Sequence, residues 1–338
     1  MSDLPRAVTL SDVAKSAGVS LATASKAMNG RDDVAESTRQ RVLDAADRMD
    51  FVPNPAAQSL MANRSRTVGL LTSDLVGRFV MPVLMGAEDA FGAGRVDVFL
   101  CDARGDSVRE QHHLRALVSR RVDGIIVVGS QTDPRPSLGH KIPVPVVYAY
   151  APSDDPEDVS FTPDNRSAGR MAVEHLLALG KRRIAHISGE HSYAAARDRA
   201  AGVRAALADA GVALVEDPMF SEWSEQWGRD ATALLLQRHP DLDGVVAGSD
   251  QLARGALEML RELGRDVPND VAVASFDNWE VLATQARPTI SSIDFNLQDL
   301  GRAAARSIFD TLDGDPPAPG VRYFPTRLVI RGSSVERR

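Results

Sequence analysis

The chain has 338 residues and 43% hydrophobic content, enough for two or three compact units with substantial cores. A net charge of −7 excludes a protein that coats nucleic acid along its whole length, while leaving local binding open. No apolar run approaches the roughly twenty residues of a membrane span, and Asp3 and Pro5 stand where a secretory leader would turn from basic to apolar, so a cytoplasmic protein is expected.

Leu10, Val13, Ala14 and Ala17 recur at steps of three and four, which predicts a short helix burying a narrow apolar stripe, with Ser11 or Asp12 suited to its first turn. Gly18 permits the positive φ of a sharp turn, Val19 plugs the angle, and Ser20 is placed to cap a second helix running from about Leu21 to Asn29. Ala24, Ala27 and Met28 face inward on that helix. Leu21, Ala22, Ser25 and Lys26 then face outward, as on a helix that reads base edges. A third helix is expected from about Ser37, its cap, through Val42, Leu43, Ala46 and Met49. Pro55 suits the first position of a further helix too short to stand alone.

These residues resemble the lactose-repressor (LacI/GalR) family of bacterial transcription regulators. The resemblance rests on Thr9-Leu10-x-Asp12-Val13-Ala14, Ala17-Gly18-Val19-Ser20, Thr23-x-Ser25 and Pro53-Asn54-Pro55-x-Ala57-x-x-Leu60, and it extends over nearly the whole chain. It implies a helix-turn-helix at 1–52, a hinge segment at 53–66, and an effector-binding and dimerisation domain at 67–334. The implied DNA-binding set is Thr9, Ser20 and Thr23 for positioning the duplex, with Leu10, Leu21, Ala22, Ser25, Lys26, Asn29 and Ala57 beside it and Leu60 as a minor-groove wedge. Lys26 stands where an arginine is frequent and lacks the bidentate fork that reads guanine. Up to Arg66, nine basic residues face eight acidic ones, so phosphate affinity has to come from placement rather than bulk charge.

Beyond Arg66 the pattern changes. Thr67 to Thr72, Val96 to Asp102, Gly124 to Val128 and Val144 to Tyr148 are short apolar runs of the buried parallel-strand kind, with helices at Pro82 to Phe91 and Ser107 to Arg120 between them. Cys101 lies in one such run, which suggests a buried thiol, and a lone cysteine excludes an internal disulfide. After Asp164 the alternation repeats: helix Asn165 to Leu179, strand Arg183 to Ser188, helix Asp198 to Ala210, then three further units, the last pairing Leu297 to Leu312 with a strand from Val321 to Ile330. The fold class expected is an all-α helix-turn-helix headpiece plus an α/β body of two doubly wound parallel-sheet subdomains. By the resemblance, the body is similar to periplasmic sugar-binding proteins, one subdomain taking about 67–164 and 295–322 and the other about 165–294 and 323–334.

Catalytic signatures are missing: there is no Gly-x-Ser-x-Gly elbow, no phosphate-binding Gly-x-x-x-x-Gly-Lys and no metal-binding His-x-x-x-His pair, so neither an enzyme nor a cofactor or metal site is expected. Open parallel sheets hold ligands beyond the carboxyl ends of their strands. Ser73, Tyr150, Ser249 and Asp277 all follow strands, and Asp250 suits either the cap of a helix from Gln251 or a ligand contact. The resemblance makes Arg199 and Asp277 effector ligands, adds Ser249 and the aromatic Trp223, and shows two departures: Tyr150 replaces a frequent aspartate and Phe295 a frequent glutamine. With Phe79 and Ser73 these form the candidate effector set. The partners expected are a pseudo-palindromic DNA operator, a second copy of the chain, and a small polyhydroxylated effector, a sugar or sugar derivative, with a purine or nucleoside as the alternative.

Overall fold

The computed structural model describes residues 8–28, 33–51, 64–75, 77–92 and 96–336. The chain divides into two units, residues 1–66 and 67–338.

In the first unit, helices α1 (Leu10–Ala17), α2 (Leu21–Met28) and α3 (Glu36–Arg48) enclose a small core of Val13, Ala14, Ala24, Ala27, Val42, Ala45 and Ala46. Thr9 is the cap of α1 and Asp12 stands in its first turn, as expected: the Thr9 backbone N–H donates to the Asp12 carboxylate at 2.9 Å while the Thr9 hydroxyl faces the Asp12 N–H, a reciprocal capping box. Gly18 takes φ 66° and the Val19 N–H turns back to Ala14 O at 3.0 Å, closing the last turn of α1. Ser20 Oγ then accepts the Thr23 N–H at 3.1 Å and starts α2. Helix α3 begins at Glu36, not at a Ser37 cap. Its first turn is closed by the Ala35 carbonyl, which accepts from Thr38 and Arg39 N–H without help from a side chain.

The second unit contains two six-stranded sheets. The first is built from β1 (Thr67–Thr72), β2 (Asp97–Asp102), β3 (Gly124–Val128), β4 (Val146–Ala149), β5 (Val159–Pro163) and β11 (Gly320–Phe324), in the order β11-β5-β4-β3-β1-β2. The second is built from β6 (Ile184–Ser188), β7 (Met219–Phe220), β8 (Gly244–Ala247), β9 (Ala272–Phe276), β10 (Ser291–Asp294) and β12 (Arg327–Val329), in the order β12-β10-β9-β8-β6-β7. Every neighbouring pair is parallel except β10 with β12. Helices α4 (Val80–Glu88), α5 (Ser107–Ser119) and α11 (Leu297–Leu312) serve the first sheet; α6 (Asn165–Ala178), α7 (Ala194–Asp209), α8 (Glu225–Arg238), α9 (Asp250–Glu262) and the short α10 (Glu280–Ala283) serve the second. Among the described residues no helix is long and apolar enough to cross a membrane.

Three expectations change here. The run from Val321 to Ile330 is two strands in different sheets, because Pro325 has no N–H to continue a ladder and the chain crosses there. Strand β5, absent from the apolar-run pattern, buries Ser160 and Thr162 with their hydroxyls satisfied: Ser160 Oγ accepts the Ser153 N–H at 3.0 Å and Thr162 Oγ1 donates to Tyr150 O at 2.9 Å. Cys101 lies on edge strand β2 and is only half-buried.

Helices α6 and α7 approach until their backbones touch. A Cβ on Gly169 would sit 2.2 Å from Arg199 O, and one on Gly202 would sit 2.0 Å from Arg166 O. The same reciprocal arrangement joins α8 to α9 through Gly228 and Gly255, and α4 to α11 through Gly86 and Gly301. Because the obstructing atoms are main-chain oxygens, no rotamer change relieves the clash. Gly202→Ala and Gly255→Ala are each expected to destabilise the body by about 1–3 kcal/mol through overpacking. That outweighs the roughly 1 kcal/mol that alanine gains in helix propensity. A urea midpoint equal to or above the parent's would show that the helices can separate freely.

Candidate functional site

The carboxyl ends of the two sheets face each other, and the side chains that meet there come from turns directly after strands. After β1, Asp74 folds a tight turn in which its carboxylate accepts the Gly77 N–H at 2.9 Å, so the chain reverses and presents Arg78. The Arg78 guanidinium bonds the Asp277 carboxylate and Gln251 Oε1, the latter at 3.2 Å, both from the second sheet's side. It lies over the rings of Phe79 and Trp279 at 4.9 and 5.0 Å. Burial opposes its charge, but Asp277 and its neighbours more than restore it and raise its pKa.

Arg199 enters from α7 and is 2% exposed. Its Nε donates to Asn165 Oδ1 at 2.9 Å, one terminal nitrogen donates to Gly248 O, and the other lies 3.5 Å from Asp277 Oδ1. Phe295 and Phe276 flank it at 4.7 and 4.9 Å, with Trp223 at 6.0 Å. Burial pulls its pKa below the ordinary value, an effect that Asp277 resists. Tyr150, buried at the end of β4, stacks on Phe79 with 4.5 Å between centroids. Burial drives its phenol pKa up, so it stays neutral.

Asp250 does not cap α9. Ser249 does, with its hydroxyl accepting the Leu252 N–H at 3.4 Å. Asp250 is instead buried, accepting hydrogen bonds from Ser275 Oγ, Ser292 Oγ at 2.7 Å and the Trp279 N–H at 2.7 Å. Burial, joined by repulsion from Asp277, pushes its pKa up to about 7.

Of the expected effector residues, Arg199, Asp277, Tyr150 and Phe79 come together, with Trp223 close by against Gly189, where a Cβ would meet the indole at 2.0 Å. Ser249 is fully buried in its capping role, and Phe295 backs Arg199 from the core, so both stand behind the site's surface. Ser73 is half-buried in the turn before Arg78. Sequence reasoning missed Arg78, Gln251 and Trp279, although Arg78 obeys the same strand-end rule that selected its neighbours. It also missed Asp133, whose carboxylate accepts the Ala194 N–H at 2.9 Å and pairs with Arg197 at 3.1 Å. That carboxylate starts α7 from the other sheet's side, which explains why the helix begins at Ala194 and not at Asp198.

On the first unit, Leu21, Ala22 and Lys26 are exposed on α2 and Ser25 is partly so. Lys26 Nζ lies 2.6 Å from Asp33 in an exposed ion pair worth about 0–1 kcal/mol, weak enough to be exchanged for DNA. The Ser20 and Thr23 hydroxyls bond each other at 2.8 Å. The Leu10 side chain packs on the core, which leaves its backbone N–H in the first turn of α1 as the group able to face a phosphate. Asn29, Ala57 and Leu60 lie outside the described residues.

A helix-turn-helix carried by a chain whose α/β body gathers polar and aromatic residues between two parallel sheets defines a DNA-binding regulator of the periplasmic-binding-protein-like type. Residues 9–54 match the family described as bacterial regulatory proteins, lacI family, and residues 173–334 match the periplasmic binding protein-like domain. The chain is 35% identical to the HTH-type transcriptional regulator CelR of Thermobifida fusca, covering 97% of this chain and 98% of that one. Among solved structures it is similar to a transcriptional regulator CelR–cellobiose complex, with a TM-score of 0.63, 30% identity, and 97% and 100% of the two chains covered. It is also similar to the lac repressor dimer bound to operator and the anti-inducer ONPF, with a TM-score of 0.72, 26% identity, and 98% and 100% covered. The chain belongs to the LacI family of bacterial transcriptional regulators.

The raised pKa of Asp250 fixes the sign of a pH effect. The folded state holds a proton that the unfolded chain releases near pH 3.8, so stability is greatest below that value, falls as pH rises towards 7, and is flat above. The upper bound for this one group is roughly 4 kcal/mol. Asp250→Asn is expected to flatten the dependence between pH 4 and 7 in urea unfolding; an unchanged slope would place the titration elsewhere.

Proposed function

We propose that this protein is a repressor that binds a pseudo-palindromic operator as a homodimer, with an affinity set by a sugar or sugar derivative held between the two sheets of its body. The observation that carries the reading is the Arg199–Asp277 pair, buried at the carboxyl ends of the second sheet beside the Trp223 indole and the Phe79–Tyr150 stack. A carboxylate accepts from sugar hydroxyls, a guanidinium donates to ring and hydroxyl oxygens, and aromatic faces cover C–H surfaces. The cellobiose in the CelR complex supports a carbohydrate effector. The operator-bound lac repressor dimer supports two-fold recognition, since one short helix reads only a half-site. The role is non-catalytic and exercised in the cytoplasm.

Binding is expected to act through population: an effector that prefers one arrangement of the two sheets favours or disfavours the DNA-bound form by its difference in affinity for the two arrangements. Thermal shift on the full chain tests the pocket. A ligand at a hundred times its Kd adds about 2.7 kcal/mol, and Arg199→Ala and Asp277→Ala are each expected to lose that response while operator binding persists. Variants that still respond like the parent would put the effector elsewhere.

The reading helix makes a separate prediction. Leu21 and Ala22 offer apolar contact suited to a thymine methyl, and Lys26 supplies the charged donor. Lys26→Ala is expected to relax the preferred half-site sequence in a randomised-duplex selection. A uniform loss over all sequences would instead make Lys26 a phosphate contact.

A further inference from the structure

Between the two sheets, two guanidiniums share one carboxylate. Arg78 and Arg199 both bond Asp277, whose side chain is 2% exposed. A second carboxylate, Asp250, is turned away towards Ser275, Ser292 and the Trp279 N–H, and burial pushes its pKa up. Tyr150 is a neutral phenol. At Asp277 two guanidiniums therefore meet one carboxylate, in a place where water screens them only in part.

The unsatisfied groups point the same way. Arg78 Nε and Trp223 Nε1 are buried without a hydrogen-bond partner, and both are donors. A ligand that completes them brings acceptors. The setting of Arg78 adds a third observation: its guanidinium lies over both the Phe79 and Trp279 rings, contacts that help orient the planar fork whether or not Asp277 is its partner.

The chemistry of exchange then selects the ligand. For a hydroxyl-bearing molecule to reach Asp277, Arg78 has to yield its place on that carboxylate. With a neutral sugar the exchange leaves a guanidinium that is only 23% exposed without its counter-charge, which is unfavourable. With an acidic sugar Arg78 trades one anion for another, while Asp277 stays paired with Arg199 and becomes free to accept hydroxyls.

From this charge exchange we infer that the effector is a sugar bearing an anionic group, a carboxylate or a phosphate, and that Arg78 is the residue that binds it. The inference rests on the carbohydrate reading proposed above and specifies its class. The same ion pair makes Arg78 a competitor for Asp277 that an acidic ligand draws off and a neutral ligand does not.

The test is a thermal-shift titration of the full chain with five probes: glucose and cellobiose as neutral sugars, gluconate and glucuronate as carboxylates, and glucose 6-phosphate. At least one acidic probe is expected to raise Tm with a Kd at least tenfold below that of either neutral sugar, and the responding arm tells carboxylate from phosphate. Arg78→Gln is expected to abolish that preference, weakening the acidic ligand more than tenfold, while Arg78→Lys, which keeps the charge, retains most of it. Neutral sugars binding as tightly as the acids, or an acid preference that survives Arg78→Gln, overturns the inference and leaves the carbohydrate reading standing. Silence from all five probes overturns both.

Discussion

The Asp277 carboxylate is the interaction on which the body's arrangement depends. It ends β9, the third strand of its sheet, and ties two arginines that reach it from different elements. Its backbone is held at φ 97°, a region that costs a side-chain-bearing residue about 1–3 kcal/mol. The Asp277 N–H bond to Ile293 O on the neighbouring strand and the two ion pairs keep it there. Tyr150 holds the same place in the first sheet, following the third strand β4, and it too has a positive φ, 71°, with its N–H on Phe161 O. The two halves thus present matching strained residues after their third strands, an acid on one side and a neutral phenol on the other. What differs between two otherwise similar sheet ends is the charge offered to a ligand.

Linkage between the halves is largely polar, although Leu297 packs against both cores. Arg78 reaches Asp277 and Gln251 from the first sheet, and Asp133 reaches the start of α7 from the same side. Where the chain itself crosses, the segments are knotted by similar bonds: Arg327 pairs with Asp294 at 2.8 Å, Asn296 donates to Pro325 O, and the Asp164 N–H donates to Phe324 O. Bonds of this kind are exchangeable in a way that packed cores are not. A bound molecule that takes over a few of them changes which arrangement of the sheets is favoured without disturbing either hydrophobic core.

Much of this was legible from residues alone, and the failures share a cause. Apolar runs located β1, β3, β8 and β9 because their buried positions are aliphatic. Strands β5 and β10 escaped because Ser160, Thr162, Ser291 and Ser292 are buried polar residues whose hydroxyls find partners outside their own strands, which an apolar-run pattern does not reveal. The same holds for the site. Arg199 and Asp277 were found through a motif, whereas the ion pairs of Arg78 and Asp133 are made with residues more than sixty positions away in sequence. Asp250 had an ordinary local role available as a cap, and the neighbouring Ser249 took it.

The reciprocal glycines between helix pairs have a mechanical meaning. Where two backbones touch at main-chain oxygens there is no compressible layer of side chains between them, so each pair moves as one stiff member. One such pair spans α4 and α11 in the first half, and two span α6 with α7 and α8 with α9 in the second. Stiff plates joined by three thin strand crossings concentrate bending at the crossings. A small displacement around Asp277 is therefore carried to the far edges of the plates as rotation, multiplied by the length of the lever, rather than being absorbed on the way.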